Sequence, residues 1–275
     1  MIGDLVGEPG IKALEEGLPR LIKDNAVDFV VVNGENAADG FGLTDATFKR
    51  IIAAGADVVT SGNHVWEKRD FWQVLDSDDK ILRPANYPRT AAGRGWLCIR
   101  KAGTSWVVIN IQGREYMTPI ECPFRFFDNI LRYLGNTASN NHTLTDTNGE
   151  PILPGVFPIV LVDFHAESTR EKEALAYHID GRATLLAGTH THVQTADERI
   201  LPQGTAYITD LGMTGISESV IGMDAGICMD RVRKQVMYRM EPAVDPPGGK
   251  STARIQGVIA EIDAESGTAV SIRRI

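Results

Sequence analysis

Cysteine is scarce in this chain. Three occur among 275 residues, Cys98, Cys122 and Cys228, odd in number and widely scattered. That excludes a disulfide framework and a paired-thiolate metal site, and it points to a reducing compartment. All three are expected to behave as small buried hydrophobes. No apolar run is long enough to cross a membrane and no cleavable signal pattern is present, so a soluble, cytoplasmic protein is expected. Basic residues are outnumbered, with 28 Lys and Arg against 36 Asp and Glu and a formal net charge of −8. An acidic balance argues against a broad nucleic-acid or anionic-membrane surface. It leaves room for an anionic small substrate, because a bound cation reverses the local field. There is no internal repeat. What is present, 43% hydrophobic and 23% charged residues, is ordinary for a globular enzyme with a sizeable core.

Apolar runs recur along the chain, each closed by polar residues and often followed by a helical pattern. Strands are expected in 27–36, 57–64, 105–113, 157–167, 182–192 and 205–212, and a closing hairpin in 255–275 with its turn at Ser266-Gly267. Helices are expected over 44–55, capped by Thr44 and stopped by Gly55, over 122–135, with Pro123 near its start, and after Ser168, which stands in capping-box spacing to Glu171. Strands alternating with helices, then a run of strands, give an α/β sandwich of mixed sheets with helices outside. The polar, turn-rich 135–155 reads as an exposed insertion and 241–254 as a second loop. Neither divides two cores, so a single domain spanning 1–275 is expected. The first strand, ending in Gly3-Asp4, has only two residues before that pair and looks truncated, which puts the rigidity of Asp4 in question.

The strand tips carry the chemistry. Asp4 ends the first, Asn33-Gly34-Glu35-Asn36 the second, Asn63-His64 the third, Asp163 and His165 a later one, and His190-Thr191-His192 the next. Open α/β sheets place their sites just outside the carboxyl ends of their strands. Asp, Glu, Asn and His together suit divalent cations such as Mn²⁺, Fe²⁺ or Zn²⁺. In an extended backbone His190 and His192 would point to one side with Thr191 turned away. They would share one metal or serve two metals roughly 3.5–4 Å apart, with Glu35 as a bridge. Two divalent ions less Asp4, Glu35 and a bridging hydroxide leave a positive surplus, which fits an anionic phosphoryl substrate. Adjacent residues cannot easily bind one ion from an extended backbone, so Asn63 is assigned to metal and His64 to the leaving oxygen. Asp163 is expected to fix the His165 tautomer rather than to bind metal. Glu167 is read as a helix-start acid, and His142 and His178 as non-ligands. Gly212, Thr214 and Gly215 are candidates for a backbone phosphate cradle.

In order, Gly3-Asp4, Gly34-Glu35-Asn36, Gly62-Asn63-His64, His165 and Gly188-Thr189-His190-Thr191-His192 resemble the calcineurin-like metallophosphoesterases. The stretches VVNGENAADGFG, GNHVW, VDFHAEST, GTHTHVQTADERILPQGTAYITDLGMTG and IGMD narrow the resemblance to the bacterial YmdB-type cyclic-nucleotide phosphodiesterases. It covers most of the chain from residue 1 to about 225. It implies an αββα sandwich and a dinuclear centre hydrolysing 2′,3′-cyclic, and also 3′,5′-cyclic, nucleotides. Asp4, Glu35, Asn36, Asn63, His165, His190 and His192 would hold the ions, of which Mn²⁺ or iron are the first choices and Zn²⁺ or Mg²⁺ the next. His64 would be the catalytic imidazole, and a dimer or tetramer would be the assembly. Three positions depart from the wider pattern: Val6 where most members carry His, Glu35 where Asp is usual, and Ile216 where Pro is expected. The competing readings are a phosphomonoesterase or 5′-nucleotidase on the same ligands and a regulator that binds metal and nucleotide without turnover.

Overall fold

The computed structural model describes residues 1–139, 144–145, 151–152, 159–245, 248 and 250–275. In chain order the elements are β1 (Asp4–Leu5), α1 (Gly7–Asp24), β2 (Val31–Asn33), α2 (Asp45–Ala53), β3 (Val58–Thr60), α3 (Trp72–Ser77), β4 (Trp96–Lys101), β5 (Thr104–Gln112), α4 (Pro123–Ser139), β6 (Leu144–Thr145) and β7 (Pro151–Ile152). They continue with β8 (Ile159–His165), α5 (Thr169–Ile179), β9 (Leu185–Thr189), β10 (Arg199–Ile200), β11 (Ala206–Ile208), β12 (Met213–Ile216), α6 (Ala225–Lys234), β13 (Ala253–Arg254), β14 (Val258–Ile262) and β15 (Ala269–Arg274).

One sheet runs β10-β11-β9-β8-β5-β4, parallel at its centre and antiparallel at both edges. The other is built around β1. It pairs with β12, and Ile2 bridges Val32 on one side and Gly257 on the other, which joins the parallel pair β2-β3 and the hairpin β14-β15. The two sheets stack, and helices cover both outer faces. The expected αββα sandwich of mixed sheets is the fold.

The period-two rule of strands assigns each side chain to its layer. Val107, Ile109 and Ile111, with Val160, Val162 and Phe164, face α4 and α5 beside Phe127, Ile130, Leu175 and Ile179. Their neighbours Val108, Leu161, Leu185 and Ala187 face Phe29, Val31 and Val58 across the gap between sheets. On the far side Val30, Val32 and Val59 meet Ile11, Leu14 and Leu18 of α1 and Phe48 and Ile51 of α2. Strands buried on both faces read as continuous apolar runs, which is how VVV and IVLV appear.

Local expectations hold in most places. Thr44 caps α2 in a reciprocal box with Thr47, and Gly55 takes φ +118° beyond it. Gly267 sits at φ +72° in the final hairpin. At α5 only half of the expected box forms. The Ser168 hydroxyl accepts the Glu171 N–H at 3.3 Å, but the Glu171 carboxylate takes the N–H groups of Arg114 and Glu115 instead. Within 135–155, Leu144–Thr145 pairs with Pro151–Ile152. The remainder of that expected insertion beyond Ser139, His142 included, lies outside the described residues. Cys98 and Cys228 are buried as expected, and Cys122 is half-buried. Among the described residues no helix is long and apolar enough to cross a membrane.

Candidate metal centre at the strand tips

The gap between the sheets turns from apolar to polar at the carboxyl ends. Continuing the inward set two residues at a time, Val31 leads to Asn33, Val58 to Thr60, Leu161 to Asp163 and Ala187 to Thr189. These four side chains meet. Asp163 accepts from Thr60 Oγ1 at 2.5 Å, Thr189 Oγ1 at 2.7 Å and Asn33 Nδ2 at 2.9 Å. All four are buried. Above this layer stands His165, two residues past Asp163, its Nδ1 3.0 Å from Thr189 Oγ1. Asp163 thus meets the His165 ring through Thr189, not directly as expected.

Around the other edge of His165 the expected ligands converge in two groups. His165 Nε2 lies 2.8 Å from Glu35 Oε2, 3.0 Å from His190 Nδ1 and 3.2 Å from Asn63 Oδ1. One donor atom each from Glu35, His165 and His190 fits within 4.8 Å, the arrangement of a shared cation site. In the second group His192 Nε2 is 3.1 Å from Asn36 Nδ2 and 3.8 Å from Asp4 Oδ1. Asp4 Oδ1 also stands 3.9 Å from His165 Nδ1. His190 and His192 thus belong to different halves.

The reason they do so is not the extended backbone inferred from their spacing. β9 stops at Thr189, and His190 and His192 take φ +97° and +65°. Such left-handed conformations are uncommon for non-glycine residues. Asp4 Oδ2 accepts the His190 N–H at 3.0 Å, while His192 Nδ1 meets the Ile221 carbonyl at 2.7 Å. Thr191 does turn away, toward Asp210.

Asn63 and His64 sit in a tight turn after β3 and separate as expected. Asn63 reaches His165. The His64 imidazole lies at the rim, 3.2 Å from Glu67 Oε1 and edge-on to Phe41, while its backbone N–H donates to Glu35 Oε1 at 2.6 Å. Gly62 explains why glycine precedes this pair. A Cβ there would stand 2.2 Å from His165 Nε2, so the imidazole lies directly on the glycine backbone.

Charge is arranged to match. Burial pushes the Asp4 carboxyl up to about 6 against the pull of His192 and His165. Burial would raise Glu35 too, but the charge and hydrogen bond of His165 outweigh it and bring that carboxyl down to about 2. Burial opposes the His165 cation, yet Glu35 lifts it to about 9. Burial, then the His165 charge, pushes His190 down to about 3.

A family model described as YmdB-like protein matches residues 1–275. The chain belongs to that family. It is 39% identical over 274 residues to the 2′,3′-cyclic-nucleotide 2′-phosphodiesterase of Bacillus subtilis, covering 100% of this chain and 94% of that protein. It is 35% identical over 229 residues to a putative phosphatase/phosphodiesterase of Mycoplasma pneumoniae, covering 80% and 74%. A crystal structure of a hypothetical Thermus thermophilus protein superposes with a TM-score of 0.84 at 36% identity, covering 100% of this chain and 96% of that one.

The donor set of this YmdB-like chain fits divalent cations. Asp4 Oδ1 is buried and has no hydrogen-bond partner, a costly state for a carboxylate that a cation relieves. Three imidazoles, two carboxylates and two amides, with no thiolate, are the donors of such ions.

Two further expectations need correction. Gly212, Thr214 and Gly215 are buried in and before β12. The Gly212 N–H donates to Asp210 and its carbonyl accepts from Asp4, while Gly215 pairs with Arg254. Their backbone builds the sheet, not a phosphate cradle. Glu167 precedes the cap of α5 and places Oε2 3.2 Å from His190 Nε2, so it braces that imidazole instead of starting the helix. His178 pairs with Asp128 on the surface, as a non-ligand should. Sequence reading missed Thr60 and Thr189, which the period-two continuation of the inward positions would have found, and the buried pair Lys172–Asp210, which has no local signature.

Proposed function

We propose that this protein is a metal-dependent phosphodiesterase acting on cyclic nucleotides, 2′,3′-cyclic first and 3′,5′-cyclic second. The observation that carries the reading is the convergence of Asp4, Glu35, Asn36, Asn63, His165, His190 and His192, with one Asp4 oxygen buried and unpartnered. Asn63, His165 and His190 would hold one divalent ion, Asp4, Asn36 and His192 the other, and Glu35 would stand between them. Mn²⁺ or iron suits these donors first, with Zn²⁺ or Mg²⁺ as alternatives. Bound ions would supply Lewis-acid polarisation of the phosphoryl group and water activation at neutral pH. The protein's own part is orientation: Thr189 fixes the His165 ring, the His64 N–H fixes Glu35, and Gly62 keeps the floor low. His64, at the rim with Glu67 beside its Nδ1, would give a proton to the leaving oxygen.

The test is hydrolysis of bis(p-nitrophenyl) phosphate and of 2′,3′-cyclic AMP by EDTA-stripped protein refilled with Mn²⁺, beside His64→Ala. Turnover should need metal and fall by about 10²–10⁴ in the variant, the usual contribution of a general acid. Well-folded, metal-loaded protein without turnover would favour a non-catalytic binder. Turnover of monoesters alone would favour a phosphatase.

A further inference from the structure

Lys172 is fully buried, and its Nζ donates to Asp210 Oδ2 at 2.7 Å; neither residue is among the proposed ligands. The same carboxylate oxygen accepts the Thr191 N–H at 3.2 Å and the Thr191 hydroxyl at 2.8 Å. Asp210 Oδ1 accepts the Gly212 N–H at 2.9 Å, and the Gly212 carbonyl in turn accepts the Asp4 N–H. One carboxylate therefore ties three ligand-bearing segments together. Lys172 belongs to α5, which follows His165. Thr191 lies between His190 and His192. Gly212 pairs with the segment that carries Asp4.

We propose that the Lys172–Asp210 pair is a positioning device for the metal centre, holding the His190-Thr191-His192 turn so that its imidazoles reach Glu35 and Asp4. The proposal rests on the metal-site reading above. Two physical points support it. A buried ion pair is weak as a source of stability, since well-packed apolar replacements are often neutral or stabilising. The two left-handed histidines on either side of Thr191 each carry a backbone cost that surrounding structure must hold in place, and Asp210 grips the residue between them. Lys172 also neutralises a carboxylate that would otherwise add negative charge beside Asp4, where Asp210 already contributes to raising the carboxyl.

The test is equilibrium Mn²⁺ titration of the full chain, followed by the spin-resonance signal of free Mn²⁺, for the parent, Lys172→Met/Asp210→Leu and Thr191→Val. The double variant removes both charges. It should melt below the metal-free parent, because the Gly212 N–H and the Thr191 donors lose their acceptor, and the folded variant should bind Mn²⁺ about 10–100-fold more weakly, the usual cost of losing an outer-shell partner. At saturating Mn²⁺, kcat should fall with KM little changed. A folded double variant with parental Mn²⁺ affinity overturns the proposal. Should the double variant not fold, Thr191→Val decides, because it keeps the ion pair and removes one hydroxyl. Several-fold weaker binding supports the proposal and unchanged binding overturns it. A parent that binds no Mn²⁺ would sink the metal-site reading together with this inference, whereas equal binding by parent and variants sinks only the inference.

Discussion

A buried imidazole beside a carboxylate holds its proton tightly, and a metal must displace that proton to bind. His165, lifted to about 9 by Glu35, is cationic in the metal-free protein at neutral pH. Metal binding should therefore release a proton, and apparent Mn²⁺ affinity should rise with pH between about 6 and 9, by up to about tenfold per unit. Titration calorimetry in buffers of different ionisation enthalpy measures the released proton; no buffer dependence would contradict the assignment. The same shift sets a stability trend. A histidine raised above its unfolded value of 6.5 contributes stability that is fully present below 6.5 and is lost as pH passes through 9. The melting temperature of EDTA-treated protein should thus fall from pH 7 to pH 9, and His165→Gln should flatten that fall. Gly62 offers a purely steric test at the same spot. Gly62→Ala puts a methyl where the His165 ring lies, so the ring must leave. Folded protein, judged by circular dichroism, should hold at least one fewer equivalent of metal. Full metal content in that variant would mean that the backbone yields instead.

At the scale of elements, the site is what happens when period-two strands run out of apolar residues on their inner side. Thr189→Val checks this. The replacement keeps the volume but removes the hydroxyl between Asp163 and His165, leaving a buried acceptor unpaired. A loss of about 1–3 kcal/mol in urea unfolding is expected, together with weaker Mn²⁺ binding; unchanged stability would mean that Asp163 is satisfied by Thr60 and Asn33 alone. The strands were legible because parallel, doubly buried strands read as continuous apolar runs. Their tips were legible because each ends in a ligand-type residue. Other features were not. α1 was missed because its pattern is broken by Pro9, Pro19 and three glycines. The structure gives one reason for these: a Cβ on Gly10 would stand 2.3 Å from the Thr214 carbonyl, so helix and strand touch backbone to backbone. The His190/His192 geometry was inferred from strand spacing and arises instead from a left-handed turn held by Asp210, a residue 19 positions away from Thr191. The Gly212 segment looked like a phosphate loop because glycine-rich turns and buried sheet corners share a composition.

At the scale of the whole molecule, the sheet built around β1 is full at the histidine end and open at the other. A cavity of about 800 Å³ lies at the amino ends of the parallel strands, between Val27–Val31 on one side and Val258–Ile262 on the other, with Met1 in its wall. The second wall is β14, and the first is the chain leading into β2. Ile2 bonds to Val31 and Asn33 in parallel fashion, and Met1 exchanges both backbone bonds with Val258. Antiparallel pairing alternates sides along a strand, so Ala260 turns its N–H and carbonyl toward the same opening as Val258. Burial also pushes the Met1 amine down to about 5. A cation lowered below its unfolded value of about 8 costs stability as pH falls from 8 toward 5. An engineered extension ahead of Met1, four residues alternating apolar and polar, meets both features. It turns the amine into an amide and offers donors, acceptors and two apolar side chains to the opening. Net hydrogen bonds of about 1 kcal/mol each and about 1.5–3 kcal/mol per buried side chain compete with about 1–2 kcal/mol per ordered residue. The balance is a gain of a few degrees in melting temperature, not a large one. A Gly-Ser extension of equal length also removes the amine but brings no side chains to bury, so the difference between the two isolates strand docking. Equal melting temperatures would show that this opening does not accept another strand. A gain confined to the alternating extension, accompanied by tighter Mn²⁺ binding, would show that the stiffness of Asp4, a few residues along the same strand, is set from the far end of the sheet.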